Sequence, residues 1–212
     1  MNFVKKWIGC IISFVAGVCG LALSACTGMV ASGKIDASAI TGTVGADYSM
    51  TIPESTTKAF KVLTDADLYD QAKLAGIGTE FMVMKVFAII TLIVSVLLIA
   101  YAIVLLLKNL NVIKFDSKIF DIVGIVLAGL FLIATIGLFV SSNSYANAMQ
   151  DVTIDSIKAM YMAQGIPATL IPQIKFNVDV ALGVYQPTML VISIITAIVV
   201  VTFTFINRKQ QA

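Results

Sequence analysis

The sequence predicts a membrane-embedded all-α four-helix transmembrane bundle. It also predicts a small extracytoplasmic α+β cap whose short antiparallel sheet is drawn from both outer loops. Three observations lead there. Four long apolar runs punctuate the 212 residues, two longer polar segments separate them, and one of those segments carries a clear period-two alternation. Apolar residues make up 59% of the chain, charged residues only 12%, and mean hydropathy is +0.98. Soluble domains carry about 25% charged residues, so this balance belongs to a chain that meets lipid.

Val86 to Leu107 holds 22 residues without a charge, Pro, Gly, Asn or Gln. As a helix it is about 33 Å long, enough for a hydrocarbon core of roughly 30 Å. A soluble core helix would need a polar face, and this run has none. The domain reading follows: a tail and first span over 1–30, outer loop 1 over 31–81 and a second span over 82–107. Then come a cytoplasmic linker over 108–118, a third span over 119–140 and outer loop 2 over 141–183. A fourth span over 184–206 and a cytoplasmic tail over 207–212 complete it.

The first apolar run, from Trp7 to about Val30, supports two readings. As a retained span it has Trp7 at the interface and a face of small residues, Ser13, Ala16, Gly17, Gly20 and Ser24, suited to close helix packing. As a signal peptide it has a basic n-region, an apolar h-region and small residues near its end, with cleavage after residue 25. Leu23-Ser24-Ala25-Cys26 then resembles a bacterial lipobox, with Cys26 as the lipidated residue. The retained span is the primary expectation and the membrane-embedded lipoprotein the alternative.

In loop 1, Ser38 to Val44 and Asp47 to Ile52 read as strands joined by a turn at Gly45-Ala46. Pro53 either ends the second strand or confines it to an edge. Lys58 to Leu63 reads as a third strand. Thr64 is an N-cap candidate with Asp67 at N3, and Gly76 stops the helix that follows after about eleven residues. The third span carries Gly124, Ala128, Gly129 and Gly137, again fitted to close packing. In loop 2, Thr153 is an N-cap candidate and Asp155 favours a helix N-terminus. Gly165 is the stop, with Pro167 just beyond it. Ile174, Phe176, Val178, Val180 and Leu182 then alternate with Lys175, Asn177 and Asp179, which is a half-buried strand. A strand of that kind needs a partner, and the loop-1 strands supply one. Pro187 fits the first turn of the last span.

Charge sets the expected orientation. Seven of the fourteen basic residues crowd into the two tails and the linker; ten of the twelve acids lie in the two long loops. The positive-inside rule then puts both termini in the cytoplasm and both loops outside a plasma membrane.

Residue content narrows the chemistry. There is no histidine, so the commonest metal ligand, general base and haem ligand are missing. Cys10, Cys19 and Cys26 match no zinc spacing and sit in no loop that could form a disulfide framework. No Gly-x-Ser-x-Gly elbow, phosphate loop or dinucleotide fingerprint occurs. Asp65, Asp67 and Asp70 lack the glycine and distal glutamate of a calcium loop and read, with Asp151 and Asp155, as solvated helix faces. No ionisable residue lies in the middle of any span. Lys85 and Asp121 sit at span ends, which argues against a proton-coupled pump. Thr91, Ser95, Tyr101, Ser193, Thr196, Thr202 and Thr204 either line a pore or bond to their own helices, the commoner outcome. A net charge of +2 without a basic run gives no case for nucleic acid.

Four spans, inside termini, a longer first outer loop and a shorter second one resemble the claudin and peripheral-myelin-protein tetraspan outline. The loop-1 strands joined by a strand before the last span extend that likeness. It is one of architecture. The claudin loop-1 signature of Trp, Gly-Leu-Trp and a Cys pair is absent, since the only tryptophan is Trp7 and loop 1 has no cysteine. No functional residue is carried over. The expectation is a non-enzymatic protein without catalytic, cofactor or metal sites. It would meet the bilayer through its spans and a copy of itself or another membrane protein through its cap. An oligomeric channel subunit is the alternative.

Overall fold

A computed structural model describes residues 2–25, 29–56, 63, 67–113, 117–182 and 185–209. The elements in order are α1 (Asn2–Ala25), β1 (Met29–Asp36), α2 (Thr41–Val44), β2 (Met50–Thr56), α3 (Asp67–Leu74), α4 (Gly78–Asn109), α5 (Ser117–Ala163), β3 (Lys175–Leu182) and α6 (Tyr185–Lys209). Short 3-10 turns cover Ser38–Ile40 and Ile171–Gln173.

Four helices close into a ring in which α1 packs on α4, α4 on α5, α5 on α6 and α6 back on α1. Ala16, Val94, Leu98, Phe131 and Ala197 fill its centre, one or two from each helix. The outward faces are apolar too: Ile11, Val18, Ile93, Val126, Ile133 and Ile195 are all exposed. A ring apolar inside and out is stable only where its surroundings are apolar. Among the described residues three helices, α1, α4 and α5, are long and apolar enough to cross a bilayer. In α6 the described apolar stretch, Leu190–Thr202, is shorter.

The sheet is three-stranded and antiparallel, in the order β2-β1-β3. Its outer strands come from different loops, as the alternation at 174–182 requires. The middle strand carries no period-two signal in the sequence. The first span does not reach Val30 as expected: Val30 lies in β1, where Met29 already pairs with Leu182. In β1 the core-facing positions Ala31 and Gly33 are too small to mark a hydrophobic period; only Ile35, fully buried, shows it. Gly33 is small for a reason, because a Cβ there would lie 2.7 Å from Asn177 O and 2.9 Å from Val178 Cα.

Ser38 to Val44 is helical, not a strand: a 3-10 turn runs into α2, which Gly45 ends at φ +79°. The Asp36 carboxylate accepts from both the backbone N–H of Ser38 (3.1 Å) and its hydroxyl (2.5 Å), which turns the chain out of extended geometry there. Asp47 does the same for Ser49, so β2 starts at Met50 instead of Asp47. Pro53 lies inside β2, which is an edge strand, where its missing N–H costs no ladder bond to a further strand. The strand expected at Lys58 to Leu63 and the cap expected at Thr64 fall outside the described residues, apart from a turn at Leu63. Gly76 stops the helix as expected, with φ +79° and Ile77 N–H donating to Ala72 O at 2.9 Å.

The largest departure is α5. The third span and the loop-2 helix are one unbroken helix of 47 residues, about 70 Å long. Residues 141–163, expected as the first part of outer loop 2, are therefore helical throughout, and non-helical chain begins only after Ala163. Thr153 is no cap, since its hydroxyl donates to Met149 O at 2.7 Å in mid-helix. Residues 141–152 contain neither Pro nor Gly, so nothing breaks the backbone. Their polarity marks a helix leaving lipid rather than a chain leaving a helix. The stop at Gly165 stands, with φ +88°.

Candidate functional site

Beyond the apolar belt, the far third of α5 is the post on which the cap is built. Ala148, Met149, Val152, Ile154 and Ile157 of α5 pack in a cluster that also holds Val178 and Val180 of β3, Ala31 of β1 and Leu23, Phe81, Met84 and Leu138 of the bundle. Cap and bundle thus share one core. A second cluster further out contains Ile35, Ala37, Ile40, Ile166, Ile171 and Ile174 around Tyr161. Tyr161 is only 2% exposed. Its hydroxyl donates to Tyr48 O at 2.7 Å, and its ring meets Tyr48 edge-on at 6.3 Å and Phe176 at 6.3 Å. Burial, with the nearby Asp47 carboxylate, pushes the phenol up from its ordinary value and keeps it a donor.

Two aspartate turns flank that core. Hydrogen bonds from Ser38 hold Asp36 below the usual carboxylate range, helped by Lys175 and Lys34; hydrogen bonds from Ser49 do the same for Asp47. Ser49 Oγ also accepts from Ala37 N–H at 3.1 Å, tying the two turns together. A depressed folded pKa gives stability that is complete above the ordinary value of 3.8 and is lost as pH falls through the folded value. Wild-type cap melting should therefore fall below about pH 4, and the Asp36→Asn/Asp47→Asn pair should flatten that acid limb. Melting followed from pH 6 to pH 3, as about the accessible range, checks it, and an unchanged acid limb in the pair rejects it.

The helix faces picked out by small residues lie at helix contacts, with one exception. Ser13, Ala16, Gly17, Gly20 and Ser24 are buried along α1. A Cβ on Gly17 would come within 2.9 Å of Ser95 O, and one on Gly20 would strike Ser95 Oγ and Phe131. On α5, Gly124 lies against Tyr101, Gly137 against Phe87, and Ala128 is buried. Gly129 faces open space. Of the span hydroxyls, Thr91 donates to Phe87 O, Ser95 to Thr91 O, Thr135 to Phe131 O, Thr196 to Ile192 O and the exposed Thr202 to Ile198 O, each in its own helix, while Tyr101 donates across to Phe120 O of α5 at 3.4 Å. Phe131, Leu98 and Val94 occupy the axis they would have to line. Cys10 is buried and donates to Ala102 O at 3.0 Å; Cys26 lies outside the described residues.

No protein family, curated protein or solved structure matches this chain. Its candidate sites therefore stand on their own geometry.

A groove of about 480 Å³ opens on the cap between the α5 tip and β3, lined by Met162, Ile171, Pro172, Ile174, Phe176 and Lys158. Its single charge is engaged, with Lys158 Nζ 2.9 Å from Asp155 and 5.9 Å from the Phe176 ring centre. Asp67 and Asp70 lie in the first turn of α3, and both are exposed. Asp151 is exposed on α5, and Asp65 lies outside the described residues. Among the described residues no three metal-ligating side chains converge.

Proposed function

We propose that this is a non-enzymatic, four-span plasma-membrane protein with both termini in the cytoplasm. Its extracytoplasmic cap is the surface through which it assembles with another membrane protein or with copies of itself. The observation that carries this reading is the continuity of α5 into the cap core. A lid fixed to the bundle by an unbroken helix and a common core has little freedom to lose on binding, which is what a contact surface needs. The concentration of basic residues in the tails and linker supports the orientation. The place of α1 in the ring supports a retained first span, since removing it would uncover Ser95 and Phe131.

The test is native mass analysis of the full chain extracted in mild detergent. A defined homo-oligomer or a stoichiometric membrane partner is expected. A bare monomer at every concentration rejects the reading. Conductance in planar bilayers would replace it with the channel-subunit alternative.

A further inference from the structure

Resting on that reading, we infer that the partner is a second copy of this chain, joined edge to edge through β3 in antiparallel register about Asn177, with its bundle pointing the opposite way. The two sheet edges differ. β2 carries Pro53, and its ladder with β1 shifts between Ala31 and Gly33. Both features discourage a further strand. β3 has neither: it pairs with β1 in unbroken register from Met29↔Leu182 to Asp36↔Lys175, and it contains no proline. Among the described residues its other edge has no strand beside it.

Parity and charge fix the register. Lys175, Asn177 and Asp179 are exposed, while Val178 and Val180 are buried. A two-fold axis that continues the sheet must pair exposed positions with exposed ones. Centring it on Asn177 sets Lys175 opposite Asp179 of the other copy, twice. Centring it on Phe176 or Val178 makes no charge pair, and centring it on Lys175 or Asp179 opposes like charges. A parallel, in-register pairing would also bring like charges together. Neither residue forms a salt bridge among the described residues, although Lys175 lies opposite Asp36 on β1. Opposite charges across a strand pair are favourable and like charges are not.

The direction of β3 decides where the second copy sits. Val180 lies in the core cluster that holds Leu138 and Tyr145, Ile174 lies in the one that holds Tyr161, and β3 ends at Leu182 just before α6 begins at Tyr185, so the strand runs from the outer cluster back towards the bundle. Six strand residues rise about 20 Å, and the sixteen helix residues from Tyr145 to Tyr161 about 24 Å, so strand and helix cover a similar height between the two clusters. Antiparallel pairing of strands that follow the bundle axis inverts the partner, which places it in an apposed membrane. The heights allow this. Asn177, midway between Ile174 and Val180, is taken as level with Thr153, midway between Tyr145 and Tyr161. The α5 tip at Ala163 is about 15 Å further out, and the apolar belt at Val140 about 20 Å behind. Each tip therefore stops short of the other copy's hydrocarbon.

The experiment is tethering between vesicles carrying the full-length protein. Wild-type vesicles should cluster. Lys175→Asp and Asp179→Lys vesicles should each lose clustering about tenfold, because two attractive pairs become repulsive. Mixing the two single-variant populations should restore it, since each then meets its opposite charge, and the double exchange should cluster with itself. Asn177→Cys vesicles of two colours should form an intermolecular disulfide, because directly opposed Cα atoms about 4.5–5.5 Å apart fall within its reach. Absence of wild-type clustering, or clustering indifferent to both single variants and to their mixing, overturns the inference. If Lys175→Asp still forms the wild-type oligomer or keeps its partner in detergent, β3 pairing falls while the cap-assembly reading survives. If no chain assembles at all, both fall.

Discussion

Tyr161→Ala should open the cap while leaving the helical ring intact. The ring of Tyr161 is the largest fully buried side chain of the outer cluster, and truncating a buried aromatic to alanine costs about 3–5 kcal/mol. The hydroxyl adds about 1 kcal/mol, because Tyr48 O loses its donor. A domain is held by only about 5–15 kcal/mol, so one substitution removes a large share of what orders the cap. The central cluster of Ala16, Val94, Leu98, Phe131 and Ala197 shares no member with the Tyr161 cluster and should hold. Amide exchange should then be fast at Ile35 and Phe176 but still slow at Val94 and Phe131. Tyr161→Phe should keep the packing and lose only the smaller hydroxyl contribution. Unchanged protection of β1 and β3 in Tyr161→Ala would show that the outer cluster does not hold the cap.

Gly20→Leu should prevent the ring from closing. The first carbon of any side chain at that position meets Ser95 Oγ and the Phe131 ring, with three more carbons still to place. Overpacking costs about 1–3 kcal/mol where neighbours can yield, and here one of them is an aromatic ring fully buried at the centre of the bundle. Between helices in lipid there is no hydrophobic gain to offset the clash, because close packing itself drives association. The expected result is a chain that elutes broadly from mild detergent and melts far below the wild type. Gly129→Leu is the matched control: the same change meets open space and should be nearly neutral. Equal losses in the two variants would mean that the contact with Ser95 and Phe131 does not set the cost, because leucine favours both helix and lipid over glycine.

Much of this architecture could be read from residues alone. Uninterrupted apolar runs revealed α4, the first half of α5 and α1, because lipid demands apolar length and nothing else. The period of two at 174–182 revealed β3, and Gly76 and Gly165 marked helix ends because both backbones need positive φ. β1 was hidden because Ala31 and Gly33 satisfy the core by being small, which leaves no hydrophobic signal. The turn at Asp36 was hidden because Ile40 and Val44 suit a strand, and the decision lies with a carboxylate two residues before Ser38. The continuity of α5 was hidden for the opposite reason: a change of solvent along one helix looks, in sequence, like a change of structure. Tyr161 sits in an ordinary helical apolar face, so its central place in the outer cluster emerges only when β1, the Ser38–Ile40 turn and the 166–174 segment fold around it.

The unbroken α5 also makes the molecule a lever arm. Its portion beyond Val140 extends about 35 Å, so a 10° tilt of the buried half swings the tip by roughly 6 Å. Helices tilt when bilayer thickness changes. With the spans placed in a bilayer as proposed above, the outermost surface of the protein is mechanically coupled to the thickness of the membrane beneath it, with no break in α5 to absorb the movement.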